Sequence, residues 1–174
     1  MEKILISACF LGEKVRYDGK TNTLAHSIIE QWRNEKRIIS VCPEVYGGLV
    51  TPRVAAEIQP VVINVSASNS SSVLPNQYPL IKQKQILTQQ GENVSEAFYR
   101  GANIALELCL ENNIRFALLK ESSPSCGSTY IYDGSFTKIK VKGEGVTAEL
   151  LRENDIEVYS ECNIDILIRK LSNS

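Results

Sequence analysis

Five cysteines occupy positions 9, 42, 109, 126 and 162, and three of them share one local pattern. Lys3 to Ala8 is an apolar run that leads into Cys9. Arg37 to Val41 is a second, ending at Cys42. Arg115 to Leu119 is a third, followed by Lys120 and then Ser122-Ser123-Pro124-Ser125-Cys126-Gly127. Short, nearly continuous apolar runs read as strands covered on both faces. Each therefore delivers a thiol at or beyond its carboxyl end, the edge where open α/β sheets bind ligands. If Cys9, Cys42 and Cys126 converge there, they form a three-thiolate site with one coordination position open for chemistry. Sulfur donors select zinc, copper(I) or iron–sulfur clusters. No C-x-x-C pair chooses among them, and cysteines also occur in strands as small core hydrophobes.

Glu44 follows Cys42 by two residues, with Pro43 between them to stop the strand ladder and Gly47-Gly48 beyond to allow a tight bend or a close approach to a ligand. A carboxylate beside a thiolate site can move protons near neutral pH; at a solvated helix start it would do no chemistry. Ser122, Ser123 and Ser125 could orient a water or a substrate, or cap the following turn. Arg16 and Arg53 are candidates for binding an anionic or carbonyl part of a ligand, or for pairing with Asp18 and Glu57. Lys120 has the same two readings. His26, the only histidine, falls off the apolar face of its expected helix and reads as exposed. Cys109 lies on the apolar face of a long helix and reads as core. Cys162 follows another strand and is a candidate fourth ligand.

The elements that must position these residues alternate. The three strand-like runs are interleaved with a helix over Leu24 to Arg33, where Ala25, Ile28, Ile29 and Trp32 share a face, and a helix over Asn93 to Asn112, with Asn93 and Glu96 spaced as a capping box. Thr137 to Val141 alternates as a strand, Val146 to Asn154 is a short helix, Ile156 to Ser160 a strand, and Asn163 stands as the cap of a final helix. Gly47 to Pro60 reads as loop, Val61 to Val65 as a short strand, and Tyr78 to Gln90 is ambiguous. Residues 66–77 are dominated by Ser and Asn and read as a flexible excursion. The whole reads as one domain over residues 1–174: a three-layer α/β fold, mostly parallel in its central sheet, with helices on both faces, Rossmann-like. The only internal echo is Tyr17-Asp18-Gly19 against Tyr132-Asp133-Gly134, read as turn chemistry.

A formal net charge of −1 over 174 residues, with 43% hydrophobic and 22% charged, offers no broad field for a nucleic-acid polymer or an anionic membrane. No apolar stretch is long enough to span a bilayer, and the start lacks a signal-peptide pattern, so a cytoplasmic address is expected. An odd cysteine count in that setting argues against a disulfide framework. The oligomeric state is left open.

Three linked motifs carry a resemblance. Ser7-Ala8-Cys9-Phe10-Leu11-Gly12 with Val15-Arg16-Tyr17-Asp18-Gly19 is the first. Cys42-Pro43-Glu44-Val45-Tyr46-Gly47-Gly48-Leu49 with Pro52-Arg53 and Ala56-Glu57-Ile58 is the second. Ser123-Pro124-Ser125-Cys126-Gly127 with Tyr132-Asp133-Gly134-Ser135-Phe136 is the third. In this order they resemble the family called domain of unknown function 523, which includes 2-thiouracil desulfurase, over nearly the whole chain. Departures are Phe10 where Leu is usual, Ala55 where Pro is usual, and the apparent insertion at 66–77. Cys162 lies outside the motifs.

The resemblance implies a [4Fe-4S] cluster held by Cys9, Cys42 and Cys126, with one open iron and easily lost in air. It implies that Glu44 and Ser123 assist a non-redox removal of sulfur from a small thiolated substrate, water supplying the oxygen and sulfide leaving. Arg16, Arg53 and Ser125 are the expected substrate contacts. The rival expectation is a non-catalytic small-molecule or metal-binding module with a three-cysteine site. A weaker third is a scaffold whose Ser/Asn stretch docks a partner.

Overall fold

The computed structural model describes residues 1–60 and 84–172. The expected strand at Val61 to Val65, the Ser/Asn-rich stretch 66–77 and the first part of the ambiguous 78–90 segment lie outside these residues. The central sheet holds β1 (Ile4–Ser7), β2 (Ile38–Val41), β5 (Phe116–Leu118) and β8 (Glu157–Tyr159) in the order β2-β1-β5-β8, all parallel. Ile4 sits opposite both Ile38 and Phe116, so the three cysteine-bearing strands run in register to a common edge. Because the chain steps from β1 to β2 on one side and later to β5 on the other, the strand order reverses at β1, where a crevice opens outside the carboxyl ends.

The strands alternate into two separate cores, as the period of two requires. Ile4, Ile6, Phe116 and Leu118 pack against Ile29 and Trp32 of α1 (Ser27–Asn34) and Ile164 and Leu167 of α5 (Ile164–Ser172). Leu5, Ala117 and Leu119 pack on the other face with Ala105 and Cys109 of α3 (Ser95–Glu111) and Ala148 and Leu151 of α4 (Val146–Glu153). The expected three layers are present.

Several local expectations are corrected. The reputed loop after Cys42 opens with a short helix, α2 (Pro43–Tyr46), started by Pro43, which needs no donor at that position. It continues to β3 (Ala56–Ile58), which pairs antiparallel with β4 (Ile86–Thr88). β6 (Tyr130–Tyr132) pairs antiparallel with β7 (Lys140–Lys142), so the expected strand at Thr137 to Val141 begins later and lies outside the central sheet. His26 does not belong to a helix face: it caps α1, its Nδ1 accepting from Ile28 N–H at 3.2 Å. The capping box at α3 does not form. Asn93 Oδ1 takes the N–H and Oγ–H of Ser95, while Glu96 pairs with Arg100 at 3.0 Å. Asn163 turns its Oδ1 back to Ser160 N–H at 2.7 Å.

Candidate functional site

Cys9 follows β1 in a 3-10 turn (Ala8–Leu11), Cys42 ends β2 as the residue before α2, and Cys126 lies in the loop after β5. All three line one cavity of about 900 Å³ outside the carboxyl edge of the sheet, and Glu44, Ser123, Arg16, Arg53 and Lys120 line it too. The convergence expected from the strand ends is met. Every cysteine is a free thiol. Cys109 is fully buried under α3, its thiol pushed up to about 12 by burial. Cys162 is exposed and does not line the cavity.

The short helix that carries Glu44 is fixed by two glycines. A Cβ at Gly47 would fall on the carbonyl oxygen of Ala97, and one at Gly101 on that of Pro43, so α2 and α3 touch backbone to backbone. Gly47 therefore serves helix contact rather than ligand approach. Gly48, at φ 99, makes the turn that L side chains rarely adopt.

On this helix Glu44 is held from both sides. Arg53 Nε and Nη2 donate to Glu44 Oε2 at 3.0 and 2.5 Å, and Ser123 Oγ donates to Oε1 at 3.1 Å. Arg53 also donates to Val15 O, Val50 O and Thr51 Oγ1. Its alternative partner, Glu57, is occupied elsewhere: buried, it accepts the N–H groups of Gly134 and Phe136 at 3.0 Å each. The expected Arg53–Glu57 pair is thus replaced by Arg53–Glu44. Arg16 does pair with Asp18, as a fork at 3.1 Å on each oxygen, and holds that carboxyl below its ordinary range.

The serines divide. Ser123 Oγ accepts from the N–H groups of Ser125 and Cys126 at 3.1 and 3.2 Å while donating to Glu44, which ties the cysteine loop to the acid. Ser125, expected at the substrate, is fully buried, shares a 2.8 Å bond with Thr147 Oγ1, and is not among the residues lining the cavity. Ser122 lines the cavity at φ 66, and its buried hydroxyl has no hydrogen-bond partner among the described residues.

Two anchors were not found from sequence. Glu121 accepts from the N–H groups of Ser122, Ser128, Thr129 and Tyr130 and from Ser128 Oγ. Burial alone would raise its carboxyl, but the Ser128 hydroxyl and these amides outweigh that and bring it to about 2. Glu161 takes Lys120 Nζ at 2.5 Å and Glu121 N–H at 2.9 Å, bracing the same loop. One carboxylate among Lys120, Ser122 and Ser123 carried no periodic or spacing signal that would mark it as a hub.

Burial dominates the thiols. It pushes Cys9 up to about 11, with a Cys42 thiolate adding to the effect and Lys120 and Arg16 opposing it. It raises Cys126 well above the ordinary thiol value, with Glu44, Cys42 and Cys9 adding. Cys42 is raised too, the nearby amides of Val45 and Glu44 pulling the other way. The three thiols are thus close enough to repel as thiolates, and a cationic inorganic core would relieve that repulsion. Among the described residues, no group of three or more His, Cys, Asp or Glu side chains closes on a point that one metal ion could occupy. A donor set of three sulfurs spread around a cavity, with a spare hydroxyl donor beside it, fits a multi-iron cluster better than a single zinc, whose thiolates must all stand about 2.3 Å from one centre.

Fold and site together define an α/β protein with a three-thiol pocket and an adjoining acid at the sheet's switch point. The model of the 2-thiouracil desulfurase family matches residues 4–163, and the chain belongs to that family. It is 36% identical over 168 residues to YbbK of Bacillus subtilis, a protein described as uncharacterised, covering 95% of this chain and 99% of that one. It is also similar to a solved structure described as the [4Fe-4S]-dependent thiouracil desulfidase TudS, at 41% identity and a TM-score of 0.83, covering 100% of both chains. No helix among the described residues is long and apolar enough to cross a membrane.

Proposed function

We propose that this chain is an iron–sulfur-dependent, non-redox desulfurase that converts the thiocarbonyl of a 2-thiouracil-like base to a carbonyl and releases sulfide. The observation that carries the reading is the meeting of Cys9, Cys42 and Cys126 in one cavity whose wall also holds Glu44. Those three cysteines hold a [4Fe-4S] cluster with one iron free of protein ligands. When bound, the cluster supplies a soft Lewis acid suited to a sulfur atom. The likeness to the desulfidase structure supports the same cofactor here.

The remaining chemistry falls to the chain's own groups. Water attacks the thiocarbonyl carbon, a C–O bond forms, the C–S bond breaks, and both protons of the water must move; no electrons enter or leave. Glu44 Oε1 takes the first proton and returns it to the departing sulfur. Arg53 pins Oε2, so only Oε1 faces that task, and Ser123 sets the carboxylate plane. Arg53 is therefore a positioning residue rather than a substrate contact, and Ser125 braces the cysteine loop through Thr147. Arg16 keeps its place on the cavity wall near Cys9. The chain acts as one domain on a small substrate, in a reducing cytoplasm that keeps its thiols free.

Anaerobic reconstitution with iron and sulfide tests this. The loaded protein binds iron and sulfide in the ratio of a [4Fe-4S] cluster and turns 2-thiouracil into uracil with equimolar sulfide. Cys9→Ser, Cys42→Ser and Cys126→Ser lose the iron; Glu44→Gln keeps it and loses activity by about a hundredfold or more. Undiminished turnover by Cys42→Ala, or stoichiometric thiouracil binding without product, overturns the proposal.

A further inference from the structure

The repeated Tyr-Asp-Gly is more than two turns that happen to match. Tyr17 comes from the loop after Cys9, and Tyr132 from β6, beyond Cys126. Both line the same cavity as the three thiols. Tyr17 is 47% exposed and Tyr132 is half-buried, so both rings keep uncovered apolar surface at that cavity. Each has a cation near its face: Arg16 Cζ lies 5.9 Å from the Tyr17 centroid, and Lys140 Nζ 5.6 Å from that of Tyr132.

The two turns are held alike. Asp18 Oδ1 accepts from Lys20 N–H at 3.1 Å, and Asp133 Oδ1 from Ser135 N–H at 3.0 Å. Gly19 and Gly134 both take a positive φ, 70 and 89. Each turn is also tied to a charged group of the site: Arg53 N–H donates to Tyr17 O at 2.8 Å, and Glu57 accepts Gly134 N–H. Rings mounted on anchored turns are positioned in advance, so little ordering is left for a ligand to impose.

We propose that the two Tyr-Asp-Gly turns are the substrate grip, with Tyr17 and Tyr132 offering ring faces to the planar thiolated heterocycle while its sulfur points toward the cysteines. This rests on the desulfurase reading above. A flat ring with one reacting edge has two faces for the walls to hold, and aromatic stacking tolerates different ring substituents because every base has a π-face. The grip sets affinity and leaves the proton transfers to Glu44.

The test uses cluster-loaded protein, with 2-thiouracil as the probe. Tyr17→Leu and Tyr132→Leu each raise KM, and the dissociation constant of 2-thiouracil read from its difference absorbance, by about tenfold or more. Changes in kcat stay within about threefold. Tyr17→Phe and Tyr132→Phe, which keep the ring, restore KM to within about threefold of the parent. Iron content and melting temperature report whether a variant has merely misfolded. Leucine variants that keep the parent KM and dissociation constant with a full cluster overturn the proposal and leave the desulfurase reading standing. Parent protein that carries a cluster but neither binds nor desulfurates 2-thiouracil overturns the desulfurase reading itself.

Discussion

Replacing Arg53 by methionine keeps the length of the stem and removes the fork that holds Glu44. The two side chains are only 9% and 16% exposed. Losing one partner of such a pair leaves a carboxylate short of its counter-charge, and Val15 O and Val50 O lose a donor as well. Breaking a buried pair costs about 3–5 kcal/mol. Because this one borders a cavity that admits water, the low end, about 3 kcal/mol, is expected. For a chain of this size each kcal/mol lowers the melting temperature by about 2–4 °C, so Arg53→Met should melt about 6–12 °C below the parent. A double-mutant cycle with Glu44→Gln, followed by thermal or urea unfolding of metal-free protein, isolates the pair: the same Arg53→Met change should cost about 2 kcal/mol less once Glu44 is neutral. Arg53→Lys restores the charge but not the fork, and recovers only part of the loss. Iron uptake should be unaffected, since no cysteine moves. A fall below about 2 °C, or an equal fall in both backgrounds, refutes the reasoning that this ion pair fixes the acid.

Two further outcomes follow from the site's supports. Glu121 has a folded pKa near 2, below its unfolded value, so the stability it contributes is present above about pH 4.5 and is lost as pH falls toward 2. The shift corresponds to about 3 kcal/mol; urea unfolding should show Glu121→Gln less stable at neutral pH by about 2–3 kcal/mol, and the gap to the parent closing between pH 4.5 and 2. A gap that is constant across that range contradicts the account. Gly101→Ala should destabilise by about 1–3 kcal/mol, although alanine is the better helix former, because its Cβ meets Pro43 O; a rise in melting temperature would show that α2 does not press on α3.

The strands, the main helices and the three thiols were legible because their signals are local. Ile4 to Ile6 and Phe116 to Leu118 are apolar over a stretch too short for a helix, and a cysteine beyond such a run must lie near the sheet's edge. The motifs around Cys9, Cys42 and Cys126 added the family. The small paired strands β3, β4, β6 and β7 were harder, since three residues hold too little periodicity to separate from loop. Ser125 and Ser123 could not be told apart, because two serines in one loop have the same chemistry until one meets Thr147 and the other Glu44.

From residue order alone came the layered parallel fold, the convergence of three sulfurs and the acid beside them, since period and strand polarity belong to each segment on its own. Tertiary structure decided the partners: Arg53 to Glu44 instead of Glu57, Glu121 to the amides of its own loop, and Gly47 and Gly101 to the contact between two helices. Many donors and acceptors of equal strength compete for each such group, and only the packing of segments distant in the chain determines which of them arrives within hydrogen-bond reach.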